Sequence, residues 1–413
     1  MTMKTIITKA TACCMLMLAA MLTMTSCNKE DDPVYTIYVH IQLPDNAPTT
    51  EYPAMEIVMK DASQKEFKAT TDYTGTAKFM LAGGLYDASA SYVTEDEYDK
   101  FIYAGNKSGI NVNANDDVEL DITVTQQQLK NPIVISEIYC GGCQKDDGSG
   151  AFAMDKYIIL HNNSVNKVSI KNLCIGMASP YNAEATNLWM QDGVLSYEKE
   201  DYIPAINGIW YFPNELTFEG SQDIVIAVNG AIDHTQTYSN SVNLARSSFY
   251  CMYDPQNESS TGTYHYNNTS YYPAPADVIP TSHYLKAYQY GTANAWPLSQ
   301  TSPALFIFQT DGAPADYAAA NIIYPAGNDG KAAQACIKVL RSMVLDAVEV
   351  YNADKLSSCK KRLTSDLDNG YVSFTSKQGH VVCRKYDNMA TYHLQDTNNS
   401  SDDFQEVKVP SID

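Results

Sequence analysis

Short segments in which apolar and polar residues alternate are the feature that most restricts how this chain can fold. In residues 35–43 every second side chain is apolar, and Pro44 follows directly. A period of two is that of a half-buried strand. Similar strand segments are predicted at residues 55–59, 65–70, 77–81, 88–93 and 118–124. Short strands separated by turn residues indicate an all-β fold built from sandwiches.

The first domain is predicted to span residues 35–128. Residues 71–79 read Thr-Asp-Tyr-Thr-Gly-Thr-Ala-Lys-Phe, and residues 83–86 read Gly-Gly-Leu-Tyr. This pattern, in which an Asp and Gly turn leads into a strand and a second Gly turn into the next, resembles carboxypeptidase-regulatory or prealbumin-like modules. The resemblance implies an N-terminal Ig-like sandwich that serves as a spacer.

A second domain is predicted over residues 131–413. Residues 133–139, 155–163 and 168–173 resemble the opening strands of a lamin-tail domain, and residues 224–228 fit a later strand. The closing segments of that Ig-like fold have counterparts at residues 371–374, 381–384 and 396–404. Ile159 and His161 depart from the family's second-strand pattern, so no role of those positions is transferred. The ends of the sandwich are far apart in sequence, which implies a long aromatic-rich insertion at about residues 176–344.

The N-terminus has the layout of a bacterial lipoprotein signal. Lys4 and Lys9 precede an apolar run that is too short to span a membrane and that ends in Met-Thr-Ser before Cys27. This resembles a lipobox, which implies that residues 1–26 are removed and that Cys27 is acylated. Residues 27–34 would then be the acylated Cys and its acidic tether, which resembles the export signal of surface-exposed lipoproteins of the Bacteroidetes.

The charge balance excludes one class of partner. The full chain has 28 basic and 48 acidic residues, and removal of residues 1–26 takes away two Lys and no acid, which changes the net charge from −20 to −22. Nucleic acids select basic surfaces, so no nucleic-acid partner is expected. The complete arrangement resembles an uncharacterised family of Bacteroidetes surface lipoproteins, known as a domain of unknown function. That resemblance implies a lipid-anchored location at the outer membrane.

Aromatic side chains are concentrated in the predicted insertion. Nine tyrosines lie between Phe249 and Tyr290, and the insertion also holds all three tryptophans of the chain. Aromatic rings mixed with Asn, Ser, Thr and Pro are typical of recognition loops. Trp210, Tyr288 and Trp296 are therefore candidates for ligand binding. The alternative is that these rings pack the insertion against its own sandwich.

Two cysteines in a glycine-rich loop are the main candidates for other chemistry. Cys140 and Cys143 form a CxxC spacing after the first strand of the second domain. A disulfide or inert thiols, half of a metal site and a redox pair are all compatible with this spacing. A second CxxC is absent from the sequence, and so are the metalloprotease, phosphate-loop and serine-hydrolase motifs. We therefore expect no cofactor and no enzymatic activity.

The leading functional prediction is a non-catalytic accessory component of a nutrient-uptake system that works beside a TonB-dependent outer-membrane transporter. A glycan, a peptide or another small nutrient would be its ligand. One alternative is a structural or adhesive lipoprotein that binds host or matrix macromolecules. Another is a metal- or redox-active protein that uses Cys140 and Cys143.

Overall fold

The structure, a computed structural model, is nearly all β, which confirms the predicted fold class. It describes residues 33–43, 52–95, 100–113, 118–128, 132–255, 268–290, 292–293, 295–296 and 298–412. The predicted leader and Cys27 lie outside these residues. Within the described part of the chain, no helix is long and apolar enough to cross a membrane. The chain divides into two compact units, one with Met1–Val93 and Ile102–Gln127 and the other with Thr94–Phe101 and Gln128–Asp413.

The strands that precede residue 130 form two sheets. One sheet has the order β4-β1-β7 and the other has the order β3-β2-β5-β6-β8. Every strand predicted for the first domain is present, and β6 and β8 are additional ones. The strands are β1 (Val34–Gln42), β2 (Glu56–Asp61), β3 (Glu66–Thr70), β4 (Thr76–Ala82), β5 (Gly84–Glu95), β6 (Lys100–Val112), β7 (Val118–Thr123) and β8 (Thr125–Gln128).

The alternation in β1 has the expected physical result. Ile37, Val39 and Ile41 are buried, whereas the residues between them are partly exposed. The predicted turn before β4 is closed by the Asp72 carboxylate, whose Oδ1 accepts bonds from the backbone N–H groups of Thr74 and Thr76. Gly75 is needed there because its φ is +78° and an added Cβ would lie 2.4 Å from the Tyr52 ring.

The second unit contains two six-stranded sheets, with the orders β21-β20-β12-β9-β28-β31 and β22-β18-β14-β23-β26-β27. A three-stranded sheet has the order β17-β25-β24, and the other strands form two-stranded ribbons. The strands are β9 (Ile133–Tyr139), β10 (Cys143–Gln144), β11 (Ala151–Phe152), β12 (Tyr157–Asn162), β13 (Val168–Ile170), β14 (Leu173–Met177), β15 (Met190–Gln191), β16 (Val194–Leu195), β17 (Tyr202–Ile206), β18 (Gly208–Tyr211), β19 (Leu216–Phe218), β20 (Asp223–Ala227), β21 (Tyr250–Cys251), β22 (Lys286–Gln289), β23 (Ala304–Gln309), β24 (Ile322–Ile323), β25 (Cys336–Leu340), β26 (Val344–Asn352), β27 (Val372–Phe374), β28 (Val381–Arg384), β29 (Tyr386–Asn388), β30 (His393–Leu394) and β31 (Phe404–Val407). The helices are α1 (Pro314–Ala320) and α2 (Ser400–Asp403).

Both large sheets are buried on both faces. Ile158 and Leu160 of β12 belong to the core between the two sheets, whereas Tyr157 and Ile159 belong to a second core on the opposite face. The other large sheet shares the central core and is covered on its outer face by a third core that includes residues of β17 and β25. This layering explains the continuous apolar runs of the unit, because a strand buried on both faces has no polar side.

The segment 176–344 contributes strands to both large sheets, including the strand predicted at residues 224–228. Strands β18, β20, β21, β22 and β23 all come from this segment and belong to the two large sheets. Strand β23 lies inside its sheet and pairs with β14 and β26. Because the segment supplies central strands, its apolar and aromatic residues are needed for the core.

Arg384 joins both ends of the second unit. Its Nε donates to the Ile135 carbonyl oxygen of β9 at 2.8 Å, and its Nη2 pairs with the Asp346 carboxylate of β26. Its Nη1 donates to the Gln395 carbonyl oxygen at 3.0 Å and to Asp396 Oδ1 at 3.2 Å. We call Arg384, Asp346, Asp396 and the Ile135 backbone the Arg384 clasp. The clasp connects the first strand of the unit to its C-terminal segment.

The central ion pair of the clasp is almost completely buried. The Arg384 and Asp346 side chains are 1% and 3% exposed. Burial raises the pKa of Asp346 to about 6, against the opposing effect of the Arg384 guanidinium. A second buried pair, Arg362 and Glu349, lies next to it along β26, with Nη2 to Oε1 at 2.6 Å.

Replacement of Arg384 by Met should strongly destabilise the second unit. The Asp346 carboxylate would be left buried without its partner, and loss of one member of a buried pair costs about 3–5 kcal/mol. Urea unfolding measures the change in the free energy of unfolding. Arg341→Met is the matched control because its partner Asp366 is 54% exposed, and an exposed pair contributes about 0–1 kcal/mol. Equal losses in the two variants would contradict the role of the clasp.

Candidate functional site

All three predicted aromatic candidates contribute to packing: Trp210 and Trp296 belong to the central core, and Tyr288 packs against the outer one. Trp210 on β18 is fully buried in the core between the two large sheets, where its ring lies 5.7 Å from that of Tyr272. Tyr288 on β22 is partly buried against the core on the outer face of its sheet. Trp210 therefore presents no surface to a ligand, which corrects its prediction as a binding residue. Trp210 instead packs inside the sandwich, as the alternative interpretation of the aromatic residues states.

Trp296 lines a cavity of about 300 Å³ that is open to solvent. Two tyrosine rings also line it, and they are among the exposed aromatic side chains of the unit: Tyr181 is 44% exposed and Tyr271 is 40% exposed. Trp296 itself is 1% exposed, and its Nε1 has no hydrogen-bond partner among the described residues. The remaining lining residues are Met154, Lys156, Asn229, Ala293, Ala295, Leu298, Ser299 and Gln300.

Strand pairing positions the polar side of the cavity. Lys156 directly precedes β12 and Asn229 follows β20, and the Val228 N–H donates to the Lys156 carbonyl oxygen at 2.8 Å. This pairing extends the β12–β20 ladder and places both residues at one end of the sheet. Asn229 Nδ2 also donates to the Tyr271 carbonyl oxygen at 3.3 Å. The sheet therefore holds one of the two exposed rings through its backbone.

Three further hydrogen bonds attach the loop that carries Trp296. The Trp296 N–H donates to the Tyr272 hydroxyl at 2.8 Å, and Lys156 Nζ donates to the Leu298 carbonyl oxygen at 2.6 Å. Gln300 Nε2 donates to the Gly141 carbonyl oxygen at 2.9 Å. These contacts connect the loop to the first strands of the unit. The cavity wall is thus built by the scaffold and does not depend on one loop alone.

Lys156 determines the electrostatics of the cavity. It is the one Lys, Arg, Asp, Glu or His residue among those that line it. Burial lowers the pKa of its ammonium group, while Cys140 and Asp155 act in the opposite direction. Chemically, the site combines aromatic rings, amide groups and a cation, a combination suited to binding a small molecule.

Sequence reasoning identified Trp296 but missed Lys156, Tyr181, Asn229 and Tyr271 as its neighbours. Tyr271 belonged to the tyrosine-rich stretch and could have been selected with it. Lys156 and Tyr181 carry no local signal, because they meet the Trp296 loop only through contacts between residues that are far apart in sequence.

The comparison with known proteins supports the architecture. Residues 220–411 match the profile of a family described as a protein of unknown function, DUF4876. The chain is similar to the crystal structure of a DUF4876 family protein from Bacteroides thetaiotaomicron VPI-5482, with a TM-score of 0.54 and 20% identity, over 91% of this chain and 96% of that chain. The two proteins share a fold. No curated protein matches the chain.

Two other structural likenesses are much weaker. The Bacillus anthracis TIE protein has 13% identity and a TM-score of 0.19, over 47% of this chain and 28% of that chain. A DUF3823 family protein from Parabacteroides merdae ATCC 43184 has 12% identity and a TM-score of 0.16, over 44% of this chain and 92% of that chain. Neither likeness is close enough to support an argument about this chain.

Both cysteines of the CxxC pair are buried in this fold. Cys140 and Cys143 are free, buried thiols, and burial raises the pKa of each to about 12. Gly142 between them has φ +71°, and an added Cβ would lie 1.9 Å from the Phe152 carbonyl oxygen, so this position requires glycine for the β10–β11 pairing. Metal binding and redox exchange both need thiolates, which this burial disfavours.

The described residues contain no group of three or more His, Cys, Asp or Glu side chains that could hold a metal ion. The acidic C-terminal segment makes internal hydrogen bonds instead. Asn399 caps α2 by accepting from the Ser401 N–H, and Asp403 accepts from Thr397 and Asn399. Asp396 belongs to the Arg384 clasp.

The cysteines should differ strongly in their reaction with iodoacetamide at pH 8. Cys359 is partly exposed and should be modified first, whereas Cys140 and Cys143 should stay unmodified until the protein unfolds, because they are buried and protonated. Peptide mass spectrometry of the native and urea-unfolded protein measures the modification at each site. Rapid labelling of Cys140 or Cys143 in the native protein, or a disulfide between them, would contradict this assignment.

Proposed function

We propose that this chain is a non-catalytic, lipid-anchored binding protein of the outer-membrane surface, and that its ligand binds in the cavity lined by Trp296. The observation that carries the proposal is the open cavity bordered by the exposed rings of Tyr181 and Tyr271, with the buried Trp296 ring in its wall. Exposed rings that border a concave site with a few polar groups are typical of small-molecule recognition.

A sugar fits this chemistry better than a peptide. Pyranose rings present C–H groups that pack against aromatic faces, and they present hydroxyl groups to amides such as those of Asn229 and Gln300. A volume of about 300 Å³ is at the lower end for small-molecule sites, so it suits a single sugar unit. The cavity is a local site, whereas a peptide that binds by strand addition would need a long sheet edge.

The lipid anchor is the second part of the proposal. The leader at residues 1–26 and the lipobox before Cys27 support acylation of Cys27, and the acidic tether supports exposure at the cell surface. The similarity to a Bacteroides protein is compatible with an origin in the Bacteroidetes. We further propose that the first unit is an Ig-like, prealbumin-like spacer and that the second unit is an enlarged lamin-tail-like sandwich. The proposed partner of the protein is a TonB-dependent transporter. The adhesive alternative would use an extended surface, and no cavity of this kind would be needed for it.

Loss of either exposed ring should weaken sugar binding. Tyr181→Ala and Tyr271→Ala each remove one aromatic contact, for which we expect roughly a 2- to 10-fold increase in Kd. Isothermal titration calorimetry of the full protein in mild detergent, with a panel of monosaccharides, measures the change. Tyr386→Ala is the matched control, because Tyr386 is 46% exposed and does not line the cavity. Unchanged affinity in both cavity variants, or no binding of any sugar by the wild type, would refute the proposed site.

Replacement of Cys27 by Ala should abolish acylation. Cells grown with an alkyne-labelled palmitate should incorporate the label into the wild-type protein and not into Cys27→Ala, because the acyl groups are attached at that residue. Cys359→Ala, which removes a partly exposed cysteine of the folded region, should keep the label. A purified wild-type protein that still begins at Met1 would show that the leader is not removed and would contradict the anchor.

A further inference from the structure

The ammonium group of Lys156 lacks a counter-charge in the cavity. An ammonium can donate three hydrogen bonds, and the described residues provide one acceptor, the Leu298 carbonyl oxygen at 2.6 Å. No described carboxylate lies within 4.0 Å of Lys156 Nζ. A mostly buried cation with incomplete pairing is costly to maintain. The incompletely paired ammonium therefore indicates that a negatively charged group arrives with the ligand.

The neighbouring acid does not supply that charge. Asp155 is fully buried, and its Oδ2 accepts bonds from the Ser241 hydroxyl at 2.6 Å and from the Tyr139 hydroxyl at 3.1 Å. Burial raises the pKa of Asp155, its carboxylate is engaged by these two hydroxyl donors, and it does not line the cavity. The other titratable neighbour of the lysine is Cys140, whose pKa of about 12 leaves it a neutral thiol. Lys156 is thus the main charge that a ligand in the cavity would meet.

Resting on the proposed sugar site, we infer that its ligand is a monosaccharide that carries a carboxylate, such as a uronic or sialic acid, with Lys156 Nζ bound to the carboxylate. The exposed rings of Tyr181 and Tyr271 contact the apolar side of the sugar, and the buried Trp296 supports the cavity wall. Asn229 and Gln300 provide amide groups for its hydroxyls. A hydrogen bond between a lysine and a carboxylate is stronger than one between neutral groups, so the charge provides selectivity for the acid over its neutral counterpart.

Calorimetry with matched acidic and neutral sugars tests this inference. The probes are galacturonate against galactose, glucuronate against glucose, and N-acetylneuraminate, each titrated into the full protein in mild detergent. At least one acid should bind about 10-fold or more tightly than its neutral counterpart. Lys156→Met should reduce the affinity for the acid to that of the neutral sugar and leave the neutral sugar unaffected. Lys199→Met, at an exposed lysine outside the cavity, should change neither.

A measurement on the wild type removes any dependence on the folding of the variant. Because burial lowers the pKa of Lys156, the ammonium loses its proton at a lower pH than an exposed lysine does. Affinity for the acidic sugar should therefore fall as the pH is raised toward the pKa of Lys156. It should fall more than the affinity for the neutral sugar. Added salt should act in the same direction.

The outcomes distinguish the two proposals. Equal affinity for acidic and neutral sugars in the wild type overturns the role of Lys156 and leaves the sugar site in place. A preference for the acid that survives in folded Lys156→Met also overturns it. If no probe binds at all, the proposed function fails, and this inference fails with it.

Discussion

A buried arginine closes the second unit. Arg384 contacts the first strand of the unit, the long strand β26 and the segment that precedes α2, so one side chain connects residues more than 200 positions apart in sequence. A buried guanidinium is acceptable only when its N–H groups are paired, and here they bind two carboxylates and two carbonyl oxygens. This requirement fixes where the C-terminal segment must lie.

Closure at this point explains how the cavity is held. The sheet that contains β9 and β28 also contains β12 and β20, and the cavity residues Lys156 and Asn229 lie at the ends of these last two strands. Both faces of the sheet are covered by apolar cores. Such packing leaves few rearrangements at low cost, so the polar wall of the cavity is preorganised and the ligand need not order it.

The sequence predicts local structure better than long-range arrangement. The alternation of Ile37, Val39 and Ile41 determines β1 because one face of that strand is buried, whereas β6 was not predicted because its Gly105 and Gly109 resemble turn residues. The resemblance to the closing strand identified the segment that holds Arg384. Apart from the strand at residues 224–228, the strands of segment 176–344 were not predicted, because strands buried on both faces carry no alternating signal. The cavity was only partly predicted, since Trp296 was selected as an aromatic residue of the segment, whereas Lys156 and Tyr181 reach the cavity through contacts between residues that are far apart in sequence.

Native-state hydrogen exchange tests most directly whether the C-terminal segment is part of the core of the second unit. The amide of Ile135 donates to Asp346 Oδ2 at 2.6 Å, and β28 pairs with both β9 and β31. We expect the slowest amides of β9, β26 and β28 to exchange with one common free energy, equal to that of global unfolding of the second unit. Faster exchange of residues 381–407 through a separate, lower-energy opening, while β9 and β26 stay protected, would contradict the account.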